Sequence, residues 1–366
     1  MSNQVKSTYQ VSPFMVFFMI HSAQVGVGIL TFPRSIAKEA GYDSWLGVIV
    51  AGLLTHLSLF IIFRLLKHEH QGLSNIHRFV YGKWLGRLFT FVFIVQFLWS
   101  GLAILREYVR VIQVWMFPSL PTWLPTLLIL VLLYYTIAGG FRVMVGMCFF
   151  KVIIAAIITF PVFFTLRDAA LGNFSFIPVH AMKEIWSAAK TMAFSYIGFE
   201  MILVYYPFIQ KGQKSKKYAY LANATTTLLY LVVTFMCFLF YSEKQLSAVI
   251  WPYLKLSSSL EFSIIQRFEY IFVSAWILVI VPCVILYLWC ASRLAKDIFK
   301  VKQKYPLLLF MLIYVVISHF VDDSEEFQLL GSWSGKFAFY TNYVYIPVLF
   351  ILYMVMRKIK RPSPSS

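Results

Sequence analysis

Charge is scarce in this chain, and acid is scarcer than base. Of 366 residues, 13% are charged, and Asp and Glu together number 15. An ordinary water-exposed globular domain carries about 25% charged residues, so so sparse a complement excludes that class. Cysteine is sparse as well. The four, at positions 148, 237, 283 and 290, fall in apolar runs and form no CxxC pair, which excludes a disulfide framework and a thiolate metal site and leaves small apolar residues. No GxSxG, HExxH or Walker-type loop occurs, and no connection is long enough to build a soluble domain. What fills the chain instead is hydrocarbon: 60% of residues are hydrophobic and mean hydropathy is +0.75.

The apolar residues gather in runs of about 20, the length needed to cross a bilayer core about 30 Å thick. Ten spans are expected, at roughly 12–37, 44–65, 86–116, 122–138, 141–166, 186–210, 217–241, 266–292, 305–321 and 338–356. The chain reads as one all-α transmembrane domain over 1–366. The first dozen residues hold a single lysine, Lys6, and the first apolar run is too long and lacks a small-residue cleavage site, so the N-terminus is expected to stay attached.

The net charge of +17 raises the question of nucleic acid, and its distribution answers it. With both termini inside, the inside segments and their flanking turns hold 20 of the 32 Lys and Arg, the outside loops hold eight, and Arg106, Arg110, Lys151 and Lys190 lie within spans. The clusters "KGQKSKK" (211–217), "RLAKDIFKVKQK" (293–304) and "RKIKR" (357–361) are inside, and the acidic "DDSEE" (322–326) is outside. That bias is the positive-inside pattern of an even-spanning membrane protein, with both termini cytoplasmic and no nucleic-acid partner.

Two spans carry helix breakers at mid-depth. The first reads "HSAQVGVGILTFPRS" (21–35) and the sixth "AFSYIGFEMILVYYP" (193–207), with Gly28 and Gly198 separated by 170 residues, close to half the chain. Glycine alone is common in transmembrane helices for packing, although Gly26 and Gly28 lack GxxxG spacing. A matched pair of breaks points further. Five spans start from each break, and because five is odd the second set lies upside down relative to the first. The expectation is a 5+5 inverted repeat, halves at about 10–166 and 185–357, with discontinuous helices 1 and 6 meeting at the midplane. Irregular backbone survives at that depth only where protein buries it or it lines a cavity. Freed amides suit a carboxylate and freed carbonyls an ammonium, which together describe a pocket for a zwitterionic amino acid.

The "VGVGILTFPR" break, "YGKWLGRL" (81–88), "GG" (139–140), "SYIGFE" in span 6, and "IWPYLKL" (250–256) followed by "QRFEYIFVSAWIL" (266–278) resemble the B subunit of bacterial spore germinant receptors, over essentially the whole chain. That family is a branch of the amino acid, polyamine and organocation permeases, with ten helices in the broken-helix (LeuT-like) fold. The resemblance implies a multi-pass protein of the spore inner membrane that senses a nutrient, an amino acid-like germinant, alongside an A subunit and a lipoprotein C subunit. A working proton-coupled amino acid permease is the alternative, because the same site serves either role.

The breaks themselves offer Gly26, Val27 and Gly28 in span 1 and Ser195, Tyr196, Ile197 and Gly198 in span 6 as ligand contacts. Similarity to related permeases adds Gly101 and Leu102 on span 3, and Cys283 and Tyr287 on span 8, one turn apart on one face. Tyr287 reads equally as a packed aromatic. Ionisable residues in spans are disfavoured and so informative. Glu200 is read as a cap on the second half-helix, a partner of Lys151, or a proton-linked gate. Lys151 either snorkels inward or, as the resemblance suggests, stands where sodium-dependent relatives hold a cation. Arg106 and Arg110 share a face near the outer end of a long span 3, with Glu107 directed elsewhere. His21, His56 and His319 lack ligand spacing and read as hydrogen-bonded helix residues. No cofactor or metal is expected. The lone "DDSEE" cluster resembles one of the magnesium-diphosphate sites of membrane prenyltransferases, which need two, so an enzyme is not expected.

Overall fold

A computed structural model describes residues 5–69, 71–168, 179–260, 267–320 and 324–360, with backbone alone for 324–330 and 332. The regular structure there is helical: α1 (Met15–Gln24), α2 (Phe32–Ala40), α3 (Trp45–Leu66), α4 (Leu73–Trp115), α5 (Trp123–Ala138), α6 (Phe141–Thr159), α7 (Met182–Tyr196), α8 (Ile202–Tyr205), α9 (Lys216–Phe240), α10 (Glu243–Ala248), α11 (Pro252–Ser257), α12 (Phe268–Phe299), α13 (Lys304–Phe320), α14 (Ser324–Phe339) and α15 (Ile346–Ile359). Six stretches are long and apolar enough to cross a membrane: Phe32–Leu66, Leu73–Trp115, Phe141–Arg167, Gly212–Phe240, Phe268–Phe299 and Trp333–Ile359. Four apolar helices are shorter: Met15–Gln24, Trp123–Ala138, Phe199–Phe208 and Lys304–Phe320. Two of these are short because they are halves of the interrupted spans.

Hydropathy misplaced several ends, and the polar residues explain why. The last helix starts at Ser324 rather than 338 and passes through a π-helical turn at Tyr340–Tyr345 into α15; the serines and glycines of its first turns dilute hydropathy without breaking a helix. Likewise α12 continues to Phe299, past 292, because its last turns are charged and lie beyond the apolar core. The connection after α9 is not a plain loop. It folds into α10, started by a reciprocal cap in which the Ser242 amide donates to Gln245 Oε1 (2.9 Å) and the Gln245 amide to Ser242 Oγ (3.4 Å), and α11, which has Pro252 in its first turn. The acidic string 322–326 lies outside the described side chains.

The core is assembled around α12, the most enclosed of the six long stretches, which packs on α4 and α6. Helix α1 sits among α6, α9 and α12, while α7 lies against α2, α3 and α14. Close approach on α3 is made possible by two small residues: a Cβ at Gly47 would stand 2.8 Å from Ala188 Cβ on α7, and one at Gly52 would stand 2.6 Å from Thr227 Oγ1 on α9. Outward positions such as Leu128, Ile157, Leu312 and Ile351 are apolar and exposed, as a lipid-facing surface requires. At the N-terminal end, the Val11 amide donates to Phe208 O and the Gln210 amide to Val11 O, both 2.9 Å. This strap ties the entry of span 1 to the exit of span 6.

Candidate functional site

The first break begins where α1 ends at Gln24. Val25 turns extended (ψ 96°) and Gly26 follows at φ −126°, ψ −143°, before one 3-10 turn, Val27–Leu30, leads to α2. Such an ending leaves the last carbonyls of α1 without helical donors at the negative end of its dipole. Side chains from three other helices supply them. Lys151 on α6, 1% exposed, donates from Nζ to Ser22 O at 2.5 Å and to Val25 O, with Cys283 Sγ at 3.1 Å. The Cys283 thiol donates to Ser22 O at 2.7 Å. Tyr230 Oη on α9 lies 2.8 Å from both Gln24 O and Ser195 O, so one hydroxyl touches both broken helices. Lys151 therefore does not snorkel. Its ammonium caps the interrupted helix.

The second break mirrors the first in outline. Helix α7 ends at Tyr196, Ile197 is extended (ψ 160°), and Gly198 adopts φ +105°. Only glycine fits there: the left-handed backbone disfavours a Cβ, and that Cβ would meet Ala23 Cβ at 2.6 Å. The Glu200 carboxylate, fully buried, accepts from the Gly198 amide (2.8 Å) and from Gln96 Nε2 (3.3 Å). It thus closes the start of the second half-helix. Its hydrogen bonds go to these groups, while Lys151 is engaged with α1, so the two are not bonded to each other. Tyr205, Tyr287 and Asn342 face Glu200, and among the described residues the Tyr205 and Tyr287 hydroxyls have no hydrogen-bond partner.

A cavity of about 620 Å³ opens beside the breaks between α2, α4, α7 and α14. Val27, Gly28 and Ser195 line it, with Phe32, Phe194 and Phe339 as apolar wall and Glu107, Lys190 and Lys336 as charged groups. The other residues singled out from the sequence lie elsewhere. Gly26 faces Cys283 Sγ, 3.3 Å from where a Cβ would be. Gly101 packs against Tyr314 and Tyr287, and Leu102 is buried. The Tyr196 hydroxyl donates toward Val48 O (3.2 Å) and Thr227 Oγ1 (3.0 Å), and Ile197 and Gly198 are enclosed by α1. Cys283 and Tyr287 are fully buried and do not line the cavity. The span 3 charges also differ from expectation: Glu107 Oε1 accepts from the Trp251 indole at 2.8 Å and the Arg110 guanidinium stands 5.8 Å from the same ring, so the tryptophan of the "IWP" string brings the two together.

Several members of this site escaped sequence reading. Gln24 donates from Nε2 to Asn223 Oδ1 at 2.9 Å, and Asn223 and Tyr230 are seven residues apart on one face of α9, a spacing that could have flagged them. His21 and His56 behave as expected, with His21 Nδ1 2.8 Å from Thr226 Oγ1 and His56 Nδ1 3.0 Å from Gly52 O. Among the described residues no three His, Cys, Asp or Glu side chains cluster to hold a metal.

Several apolar helices, two of them interrupted beside a cavity, define a multi-pass membrane protein of permease-like build. The chain belongs to the spore permease family of spore germination proteins, whose profile matches residues 10–327, a range that takes in both breaks, Lys151 and Glu200. Among its relatives, spore germination protein GerQB of Bacillus cereus is 40% identical, with 98% of this chain and 99% of the relative covered. YndE of Bacillus subtilis (strain 168) is 23% identical over 96% and 98% of the two chains, and spore germination protein A2 of the same organism 21% over 98% and 99%. No enzyme family is indicated.

Proposed function

We propose that the chain is the ligand-sensing membrane subunit of a nutrient germinant receptor, which binds an amino acid-like germinant between its broken helices and triggers germination through A and C partner subunits. The observation that carries this reading is the cavity that ends on Val27, Gly28 and Ser195, where the first amides of the post-break turn lack intrahelical partners and suit a carboxylate. The fold is read as ten helices in a 5+5 inverted repeat of the LeuT-like kind, in the spore inner membrane with both termini cytoplasmic. Packing supports it: α1 lies on α6 and α9, and α7, its counterpart, lies on α14 and α3, the equivalent helices of the other half. A sensor must bind its ligand better in one conformation than in another.

The test is uptake of a labelled amino acid mixture by the purified protein in liposomes, with and without a pH gradient, beside equilibrium binding of the same mixture. Saturable binding without accumulation is the expected result. Accumulation that follows the gradient establishes a proton-coupled permease instead, and no binding of any component overturns the amino acid assignment.

A further inference from the structure

At the end of the bundle that carries the N-terminal strap, the last turns of α5 meet the first turns of α6 and α13 beside the C-terminal part of α12. They enclose a second cleft, of about 250 Å³, which shares no lining residue with the cavity described above. Its floor is a cluster of three rings. Phe141 stands 4.9 Å from both Phe208 and Trp289, and Phe208 stands 5.1 Å from Trp289, centroid to centroid. All three are at least nine-tenths buried.

The rim has different chemistry. Arg293 and Lys304 stand on it, and among the described residues no carboxylate lines the cleft. The Arg293 guanidinium lies 5.0 Å from the Phe208 ring and forms a 3.7 Å ion pair with Asp297 one turn on along α12, an Nε contact that leaves the two terminal nitrogens of the guanidinium for an anion. Lys304 is exposed. Gln303 donates from Nε2 to Ser292 Oγ at 3.0 Å, which anchors the α12–α13 turn and fixes where the two cations stand.

An aromatic floor below a cationic rim, at a level where three helix ends leave the apolar zone, matches a molecule that is apolar at one end and anionic at the other. The bilayer supplies it. We propose that this cleft binds an anionic phospholipid of the surrounding membrane, its phosphate between Arg293 and Lys304 and its glycerol and first methylenes on the Phe141, Phe208 and Trp289 floor. The cleft is too small for whole acyl chains, which run along the exposed apolar flank of α13 at Leu308 and Leu312. Occupancy has a consequence beyond attachment. Phe208 closes the exit of span 6 and accepts from the Val11 amide of the strap, so the lipid joins that exit to α5, α6, α12 and α13 and holds this end of the bundle shut.

The experiment uses the full-length protein, delipidated in detergent and returned to nanodiscs of phosphatidylcholine with or without phosphatidylglycerol. Retained lipid is counted by native mass spectrometry. Wild type is expected to keep one phosphatidylglycerol and to melt higher in its presence, as a ligand specific to the native state requires. Arg293→Gln with Lys304→Gln should weaken retention about tenfold or more, while Lys216→Gln with Lys217→Gln, on the same side of the bundle, should not. If the double variant fails to fold in phosphatidylcholine, Lys304→Gln alone, at an exposed position, carries the test with a severalfold loss. Equal retention by the double variant, equal retention of phosphatidylcholine by wild type, or full displacement by millimolar inorganic phosphate overturns the assignment.

Discussion

Replacing Lys151 by methionine keeps an unbranched apolar stem, one atom shorter, and removes its three donors. Val25 O then loses its ammonium contact, whereas Ser22 O retains the Cys283 thiol at 2.7 Å. An unsatisfied buried acceptor costs about 1 to 3 kcal/mol. With Ser22 at the low end of that range because a weak thiol donor remains, the sum is about 2 to 4 kcal/mol. The loss falls on the end of α1, three residues before the turn that lines the cavity, so stability and ligand binding should fall together. Thermal unfolding in nanodiscs checks the first and equilibrium binding the second. Lys151→Ala adds a sharper check, because it leaves room for a small ammonium ion: methylammonium, supplied at high concentration, should restore part of both. Unchanged unfolding and unchanged affinity in Lys151→Met would refute the clamp, and so would a loss that methylammonium leaves untouched in Lys151→Ala.

Three further outcomes are expected. A Cβ at Gly28 would sit 3.4 Å from Ser195 Oγ and 3.9 Å from the Phe194 ring, ordinary contact distances, so Gly28→Ala should insert and bind almost normally while Gly28→Leu inserts but abolishes binding; equal affinities for the two would remove this residue from the site. Glu200→Gln keeps one acceptor and the side-chain shape, so stability should drop by about 1 to 2 kcal/mol with the pH profile of ligand response unchanged, and a flattened profile would make Glu200 a proton carrier rather than a cap. Asp43, in the turn between α2 and α3, is pushed up by burial, but hydrogen bonds from the His180 ring (2.8 Å) and the Val179 and His180 amides (2.7 and 2.9 Å) outweigh this and leave it below the usual carboxylate range. A depressed folded value means that its contribution is complete above the unfolded value, about 3.9, and vanishes as pH falls through the folded one. Asp43→Asn should therefore destabilise the protein near neutrality by about 2 kcal/mol and converge with wild type in acid; a constant difference across pH would contradict this.

The parts of the fold legible in the sequence were those written in hydropathy and in backbone chemistry. Gly28 and Gly198 marked both breaks because a transmembrane helix has few reasons to place glycine beside serine and proline at mid-depth. The site was legible only in part. Val27, Gly28 and Ser195 reach the cavity, but Tyr196 and Cys283, next to the breaks in sequence or in space, turn away from it into hydrogen bonds with α3, α9 and α1. Direction of a side chain at a break depends on the exit angle of the chain, which Val25 and Ile197 set through extended backbone, and spacing alone does not reveal it. Glu107 and Trp251 are 144 residues apart, and no local pattern announces that they touch. The Lys151 contacts were similarly hidden, because one buried lysine reads the same whether its ammonium reaches water or a carbonyl.

Tyr230 carries a single hydroxyl proton, yet carbonyls from both interrupted helices wait for it at 2.8 Å. The ends of α1 and α7 thus depend on one shared donor. A rotation of the Tyr230 ring loosens both at once, and whatever holds that ring still holds both interrupted helices in place.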